Sequence, residues 1–176
     1  MTTHPGGRHT GVRRVWILFA LGLGAVACTD EPAQPIGPVE ANAAIVFVID
    51  GDTVIATFEG REETVRLIGI DTPETKKQNA PIECYGPEAS AYTSSLLPKG
   101  TPVRIERDVE ARDDYGRLLG YVYRAQDGLF VNLDLVAQGY AEVLSIRPNT
   151  TYRDDFVEAA RAAERANLGL WGACPG

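Results

Sequence analysis

The sequence predicts a mainly β domain of the α+β class: a five-stranded Greek-key barrel of the OB type with about three helices. Short β-rich runs separated by tight-turn residues succeed one another between residues 43 and 70, as in a meander. A helical segment beginning at Gly86-Pro87-Glu88 follows the third run, and two further strand-like runs come after it. Five strands with a helix inserted after the third suit a small closed barrel.

The first strand is predicted from AAIVFVI (43–49), a continuous apolar run that reads as buried on both faces. Asp50-Gly51-Asp52 breaks it. The second, TVIATF (53–58), sets Val54, Ala56 and Phe58 against Thr53, Ile55 and Thr57. Glu59-Gly60 turns the chain into TVRLIGI (64–70), the third strand. In the helix that follows, Pro87 suits the first position, and Ala89, Tyr92, Thr93 and Leu96 share a face before Pro98 and Gly100 stop it. PVRIER (102–107) and RLLGYVY (117–123) are strands four and five. Asp127-Gly128 marks a hairpin turn into Leu129-Phe130-Val131. Leu133, Val136 and Ala137 predict a short helix ended by Gly139. The last helix is expected to start at Thr151 as N-cap. Phe156, Ala159, Ala160 and Ala163 form its inner stripe, and Leu170 and Trp171 dock the tail.

The N-terminal segment predicts export. Arg13 and Arg14 precede an apolar run, Val15 to Ala27, too short to span a bilayer comfortably and ending in Ala-Val-Ala before Cys28. Residues 1–27 therefore read as a signal peptide. Small residues before a cysteine resemble the lipobox of bacterial lipoproteins, which makes Cys28 the expected lipidation site. Ala-Val-Ala equally suits ordinary signal peptidase and a freely secreted product. Residues 28–42, with Pro32, Pro35 and Pro38, form a linker reaching up to about 40 Å if extended. The globular domain is expected over residues 43–176. Setting Cys28 aside leaves Cys84 and Cys174, an even pair expected to form a disulfide in an oxidising compartment.

Composition excludes several chemistries. Both histidines, His4 and His9, precede the apolar run. Without the leader the chain has no histidine, which removes Ser-His and Cys-His nucleophilic systems and His-ligated zinc or iron. Proton transfer then falls to Asp, Glu, Tyr, Lys or water. Residues 1–27 carry three arginines and no acid, so their loss takes the formal net charge from −7 to −10. An anionic protein repels a polyanion. Phosphate chemistry here requires a local cationic site, a bound metal ion, or both.

The acids and arginines supply such a site. Asp50 and Asp52 occupy the first turn, and Asp71 and Glu74 lie in DTPE after the third strand. A carboxylate set without nitrogen or sulfur suits calcium or magnesium. Pro73 constrains the spacing between Asp71 and Glu74. Arg66 lies mid-strand where an apolar residue is expected, so it needs an acid partner or an anion. Strand parity puts it on the face of Ile68 and Ile70. Arg117 follows Asp113-Asp114-Tyr115-Gly116, and a plain Arg–Asp pair is an alternative role for it. Two guanidinium forks beside a carboxylate-held cation suit the transition state of a phosphodiester cleavage.

IDGDTV (49–54), VRLIGIDTPE (65–74), YGPEASAYT (85–93), DDYGR (113–117), VNLDLVAQGYAEV (131–143) and the closing helix into LW (170–171) occur in an order that resembles the staphylococcal nuclease family. The resemblance implies a calcium-dependent nuclease acting on DNA or RNA and leaving 3′-phosphates. It implies that Asp52, Asp71 and the Thr72 carbonyl bind Ca2+. Arg66, Glu74 and Arg117 are then catalytic, with Glu74 acting on the attacking water, and Tyr115 contacts substrate. Two departures stand out: Asp114 where relatives often carry lysine, and Leu144-Ser145 in a segment that in relatives offers base-stacking tyrosines. The expected protein is a monomer outside the cytoplasm, touching membrane only through a lipid at Cys28. The alternative is a non-catalytic OB module that binds nucleic acid or calcium.

Overall fold

Three strands run down, back and down again from Ala43. In the computed structural model, β1 (Ala43–Val48) pairs antiparallel with β2 (Thr53–Phe58), and β2 with β3 (Arg61–Leu67). The structure describes residues 1–3, 37–75 and 81–174. The chain divides into two units, Met1–Glu31 and Pro32–Gly176, and the barrel with its helices belongs to the second. The apolar run expected to be a leader, Cys28, the first part of the expected linker, Lys76 and Lys77 lie outside the described residues.

After β3 come β4 (Gly69–Asp71), α1 (Gly86–Leu96), β5 (Pro102–Glu106) and β6 (Leu118–Arg124). β5 pairs antiparallel with both β1 and β6. A parallel pairing of β3 with β6, Val65 opposite Leu118 and Leu67 opposite Gly120, closes the ring β3-β2-β1-β5-β6. This is the five-stranded OB-type barrel. β7 (Leu129–Phe130) folds back to pair antiparallel with the end of β6, and α2 (Val131–Ala137) follows at once. β8 (Glu142–Leu144) pairs with β4 as a small second sheet. α3 (Arg153–Arg165) and the short α4 (Leu170–Ala173) complete the chain.

Val54, Val65, Leu67, Val103 and Val122 fill the barrel, and Leu135, Val136 and Phe156 from α2 and α3 pack against them. Alternation is what makes this possible, because inward and outward residues alternate along every barrel strand.

Three expectations need correction. The run 43–49 is not buried on both faces: Ile45 is its one fully buried large side chain, and Phe47 is 56% exposed. The β1–β2 register shifts between Ile45 and Phe47, and such a bulge re-aims the following side chain. The third strand does not run unbroken to residue 70. The chain turns at Ile68, between Leu67 of β3 and Gly69 of β4; Gly69 adopts φ +85°, and a Cβ there would lie 2.1 Å from Phe156 Cε2. Val65 and Leu67 are buried on one side of the break and Ile68 and Ile70 on the other, so the break resets the alternation. Finally, Thr151 does not cap α3; its hydroxyl and N–H donate instead to Asp108.

Two polar groups cross-link the frame. Buried Asn132 accepts from Val122 N–H at 2.9 Å and donates to the Ile68 carbonyl at 2.9 Å, fixing α2 to the β3–β4 break. Asp108 accepts from the buried Tyr121 hydroxyl at 2.8 Å and from both donors of Thr151. Cys84 and Cys174 form a disulfide spanning 90 residues, worth about 4–5 kcal/mol in the chain-entropy account.

Burial pushes the Asp108 carboxyl up, but hydrogen bonds from Thr151, Tyr121 and Val109 outweigh it and leave it below the ordinary value of 3.8. A lowered carboxyl stabilises the fold above its ordinary pKa and stops doing so as pH falls through the folded value. Asp108→Ala also strips the Tyr121 hydroxyl of its acceptor. Chemical denaturation at pH 7 is expected to show a loss of about 1–3 kcal/mol. The gap between the variant and the native protein should narrow as pH falls below 3.8.

Candidate active site

One end of the barrel gathers the β1–β2 turn, the segment after β4 and the turn entering β6. Asp50, Asp52, Arg66, Asp71, Thr72, Glu74 and Arg117 line a cavity of about 230 Å³ there. A neighbouring trough of about 310 Å³ shares Arg66 and Arg117 with it, and is walled by Tyr115, Leu119, Leu144 and Ile146.

The two acidic loops meet because Gly51 has no side chain. A Cβ at Gly51 would fall 2.6 Å from Thr72 Oγ1. With that space filled by Thr72 instead, the Thr72 N–H and hydroxyl both donate to Asp52 Oδ2, at 2.9 and 3.1 Å. Thr53 donates to the other oxygen at 2.9 Å. From the opposite side, Thr93 of α1 donates to the Gly51 carbonyl at 2.7 Å. The inserted helix therefore braces the turn that presents Asp52.

Arg66 reaches this end by its length, since β3 stops one residue later. Its Nη1 donates to the Leu67 and Ile70 carbonyls at 2.6 and 2.9 Å. Its Nη2 lies 2.7 Å from Asp71 Oδ1 and 3.2 Å from Asp52 Oδ2. The Arg66 side chain is only 13% exposed, so its charge is held by neighbours rather than by water. The expectation that it shares a face with Ile68 and Ile70 is corrected: those two point into the core.

Arg117 is anchored differently. Its Nε donates to Asp113 Oδ2 at 2.6 Å and its backbone N–H to Asp113 Oδ1 at 2.9 Å. Burial raises the Asp113 carboxyl, and the Arg117 hydrogen bonds more than reverse this, leaving it lowered. Among the described residues neither Nη of Arg117 is engaged. The Arg–Asp pair and a place in the cavity thus coexist. Sequence reasoning did not assign Asp113 this anchoring role, although a DDYGR spacing puts it four residues before the arginine.

Glu74 lines the cavity, with its Oε1 accepting from Thr75 N–H at 2.9 Å. Tyr115 lines the trough and not the first cavity; it is 87% exposed, with Arg117 Cζ 5.6 Å from its ring centre. Asp114, Leu144 and Ile146 also line the trough, so an acid and aliphatic groups occupy the wall beside Tyr115.

The donor set fits a hard divalent cation. Asp52 and Asp71 converge on the same nitrogen of Arg66, and the polar side chains of these two loops, Asp50, Asp52, Asp71, Thr72 and Glu74, carry oxygen alone. Burial, then the charge of Asp52 and more weakly that of Glu74, raises the Asp50 carboxyl. A cation among these oxygens relieves that crowding. Among the described residues no three Asp or Glu side chains stand close enough to hold an ion alone, so a backbone carbonyl such as that of Thr72 and water would complete the shell.

Together these features define an OB-type barrel with a polar cleft at one end, built from turn carboxylates and two arginines. The chain belongs to the family described as staphylococcal nuclease homologue, whose model matches residues 64–173. It is 44% identical over 124 residues to a thermonuclease of Staphylococcus intermedius, covering 70% of this chain and 72% of that protein. It is 37% identical over 132 residues to a thermonuclease of Staphylococcus hyicus, covering 75% and 76%. Endonuclease YncB of Bacillus subtilis (strain 168) is 39% identical over 132 residues, covering 74% of this chain and 61% of that protein.

Gly51→Ala should force the two acidic loops apart. We expect a loss of about 1–3 kcal/mol, the usual cost of overfilling a packed contact, read as a lower melting temperature in calorimetry.

Proposed function

We propose that the protein is a calcium-dependent nuclease that hydrolyses DNA or RNA phosphodiesters and leaves 3′-phosphate ends. The observation that carries this reading is the meeting of Arg66, Arg117, Glu74, Asp52 and Asp71 on one cavity. Nuclease and endonuclease relatives at about 40% identity support it. An acidic protein gains no general attraction for a polyanion, so binding depends on this local pair of cations.

In this reading Asp52, Asp71 and the Thr72 carbonyl hold Ca2+. When bound, the ion supplies charge neutralisation at the phosphate and a template for the attacking water. Arg66 and Arg117 donate to the phosphoryl oxygens, and their hold strengthens as negative charge builds on phosphorus. The Glu74 carboxylate takes a proton from the attacking water. The new bond joins that oxygen to phosphorus, and the bond from phosphorus to the 5′ oxygen breaks. The leaving oxygen takes up a proton, giving a 5′-hydroxyl on one fragment and a 3′-phosphate on the other. Tyr115 and the trough receive the adjoining nucleotide. We further propose export through the leader, with Cys28 lipidated or else left unmodified by ordinary signal-peptidase cleavage, and a monomeric working state.

Denatured DNA incubated with the protein tests the scheme. Cleavage is expected with calcium and is expected to vanish with a chelator. Glu74→Ser should reduce kcat by about 10²–10⁴-fold, and Arg117→Gly by about 10²–10³-fold. Cleavage at the native rate by either variant contradicts the mechanism.

A further inference from the structure

Glu74 is held by Glu83, nine residues further along the chain. Glu83 Oε2 accepts from the Glu74 N–H at 2.9 Å, and the Glu83 N–H donates to the Glu74 carbonyl at 3.0 Å. The two bonds run in opposite directions between the same two residues. Together they fix the peptide groups on both sides of the Glu74 Cα, and hence the direction in which its side chain leaves the backbone.

Glu83 is in turn well anchored. The next residue, Cys84, is bonded to Cys174 at the end of the chain. Tyr85 follows with φ +69° and stacks on Tyr140, ring centres 5.3 Å apart. Gly86 then lies against the DTPE segment so closely that a Cβ would fall 3.0 Å from both the Pro73 and Glu74 carbonyl oxygens. The Gly86 N–H donates back to the Glu83 carbonyl at 3.1 Å. On the other side of the bridge, the tail is docked through Leu170 N–H on the Gly139 carbonyl at 2.8 Å. A disulfide, a ring stack and a helix start therefore all converge on the four residues that grip Glu74.

We propose that Glu83 is a positioning residue for Glu74, and that the Cys84–Cys174 bridge anchors this clamp to the C-terminal tail. The inference rests on the reading of Glu74 as the group that acts on the attacking water. A carboxylate displaced by even an ångström from its reacting partner loses roughly two orders of magnitude in rate. The clamp touches neither arginine, so substrate binding is spared. Glu83 also adds negative charge near Asp71, and that contribution must be separated from its hydrogen bond.

The test compares Glu83→Ala with Glu83→Gln in the full chain. Glutamine keeps the acceptor oxygen and removes the charge. Glu83→Ala should lower kcat by about tenfold or more at unchanged KM, and Glu83→Gln should restore it. Paired Cys84→Ser and Cys174→Ser substitutions, assayed well below their melting temperature, should shift kcat in the same direction as Glu83→Ala. Amide exchange supplies a readout without catalysis: the Glu74 amide should exchange faster in Glu83→Ala and at the native rate in Glu83→Gln. Native kcat in Glu83→Ala overturns the proposal, and so does a Glu83→Gln variant as impaired as the alanine one. If the unaltered protein does not cleave DNA, the proposed function fails instead, and the exchange of the Glu74 amide alone decides the clamp.

Discussion

The Arg66 guanidinium, placed where β3 gives out, organises this end of the molecule. It satisfies two backbone carbonyls at the β3–β4 break with one nitrogen and faces Asp52 and Asp71 with another. A largely buried cation requires this many acceptors. In meeting that requirement, it draws together two carboxylates that belong to different turns. The geometry of the acidic cleft is thus coupled to the point at which the barrel wall ends.

That ending is itself forced by packing. Phe156 of α3 occupies the space beside Gly69, and only a residue without a side chain and with a left-handed backbone fits there. Asn132 of α2 holds the carbonyl of Ile68 at the same point. The helices stacked against the barrel therefore decide where the strand stops, and the strand's end decides where Arg66 reaches. On the far side α1 does the corresponding job for Asp52, through the Thr93 hydroxyl and the Gly51 carbonyl.

Much of this was legible in the residue pattern, and the failures share a cause. Alternation in 53–58 and the apolar stripe of 156–163 are local signals, and both elements stand where they were expected. An arginine among Val65, Leu67 and Ile68 marks a charged site, because an apolar stretch cannot hold a lone cation, although it stands one residue from the end of β3 and not in mid-strand. What local pattern could not reveal was whatever depended on a distant partner. The bulge in β1 follows from its pairing with β2. The break before Gly69 follows from the packing of Phe156, and Thr151 bonds Asp108 instead of capping α3 because that acceptor arrives from elsewhere in the fold. In the same way, the sequence offers a plain Arg–Asp pair for Arg117, its partner unspecified, as an alternative to a functional role. In the structure the partner is Asp113, which lines the neighbouring trough and holds Arg117 where it borders both trough and cavity.

In the proposed function the two arginines and the oxygens of the acidic loops serve one phosphate rather than separate structural ends. Calorimetric titration of the protein with a nucleoside 3′,5′-bisphosphate, with and without calcium, tests it most directly. Because binding linkage is reciprocal, calcium should tighten the nucleotide and the nucleotide should tighten calcium by the same factor, with the nucleotide's hold weakened in Arg117→Gly. Nucleotide affinity that is indifferent to calcium would mean that cations and carboxylates act on different ligands.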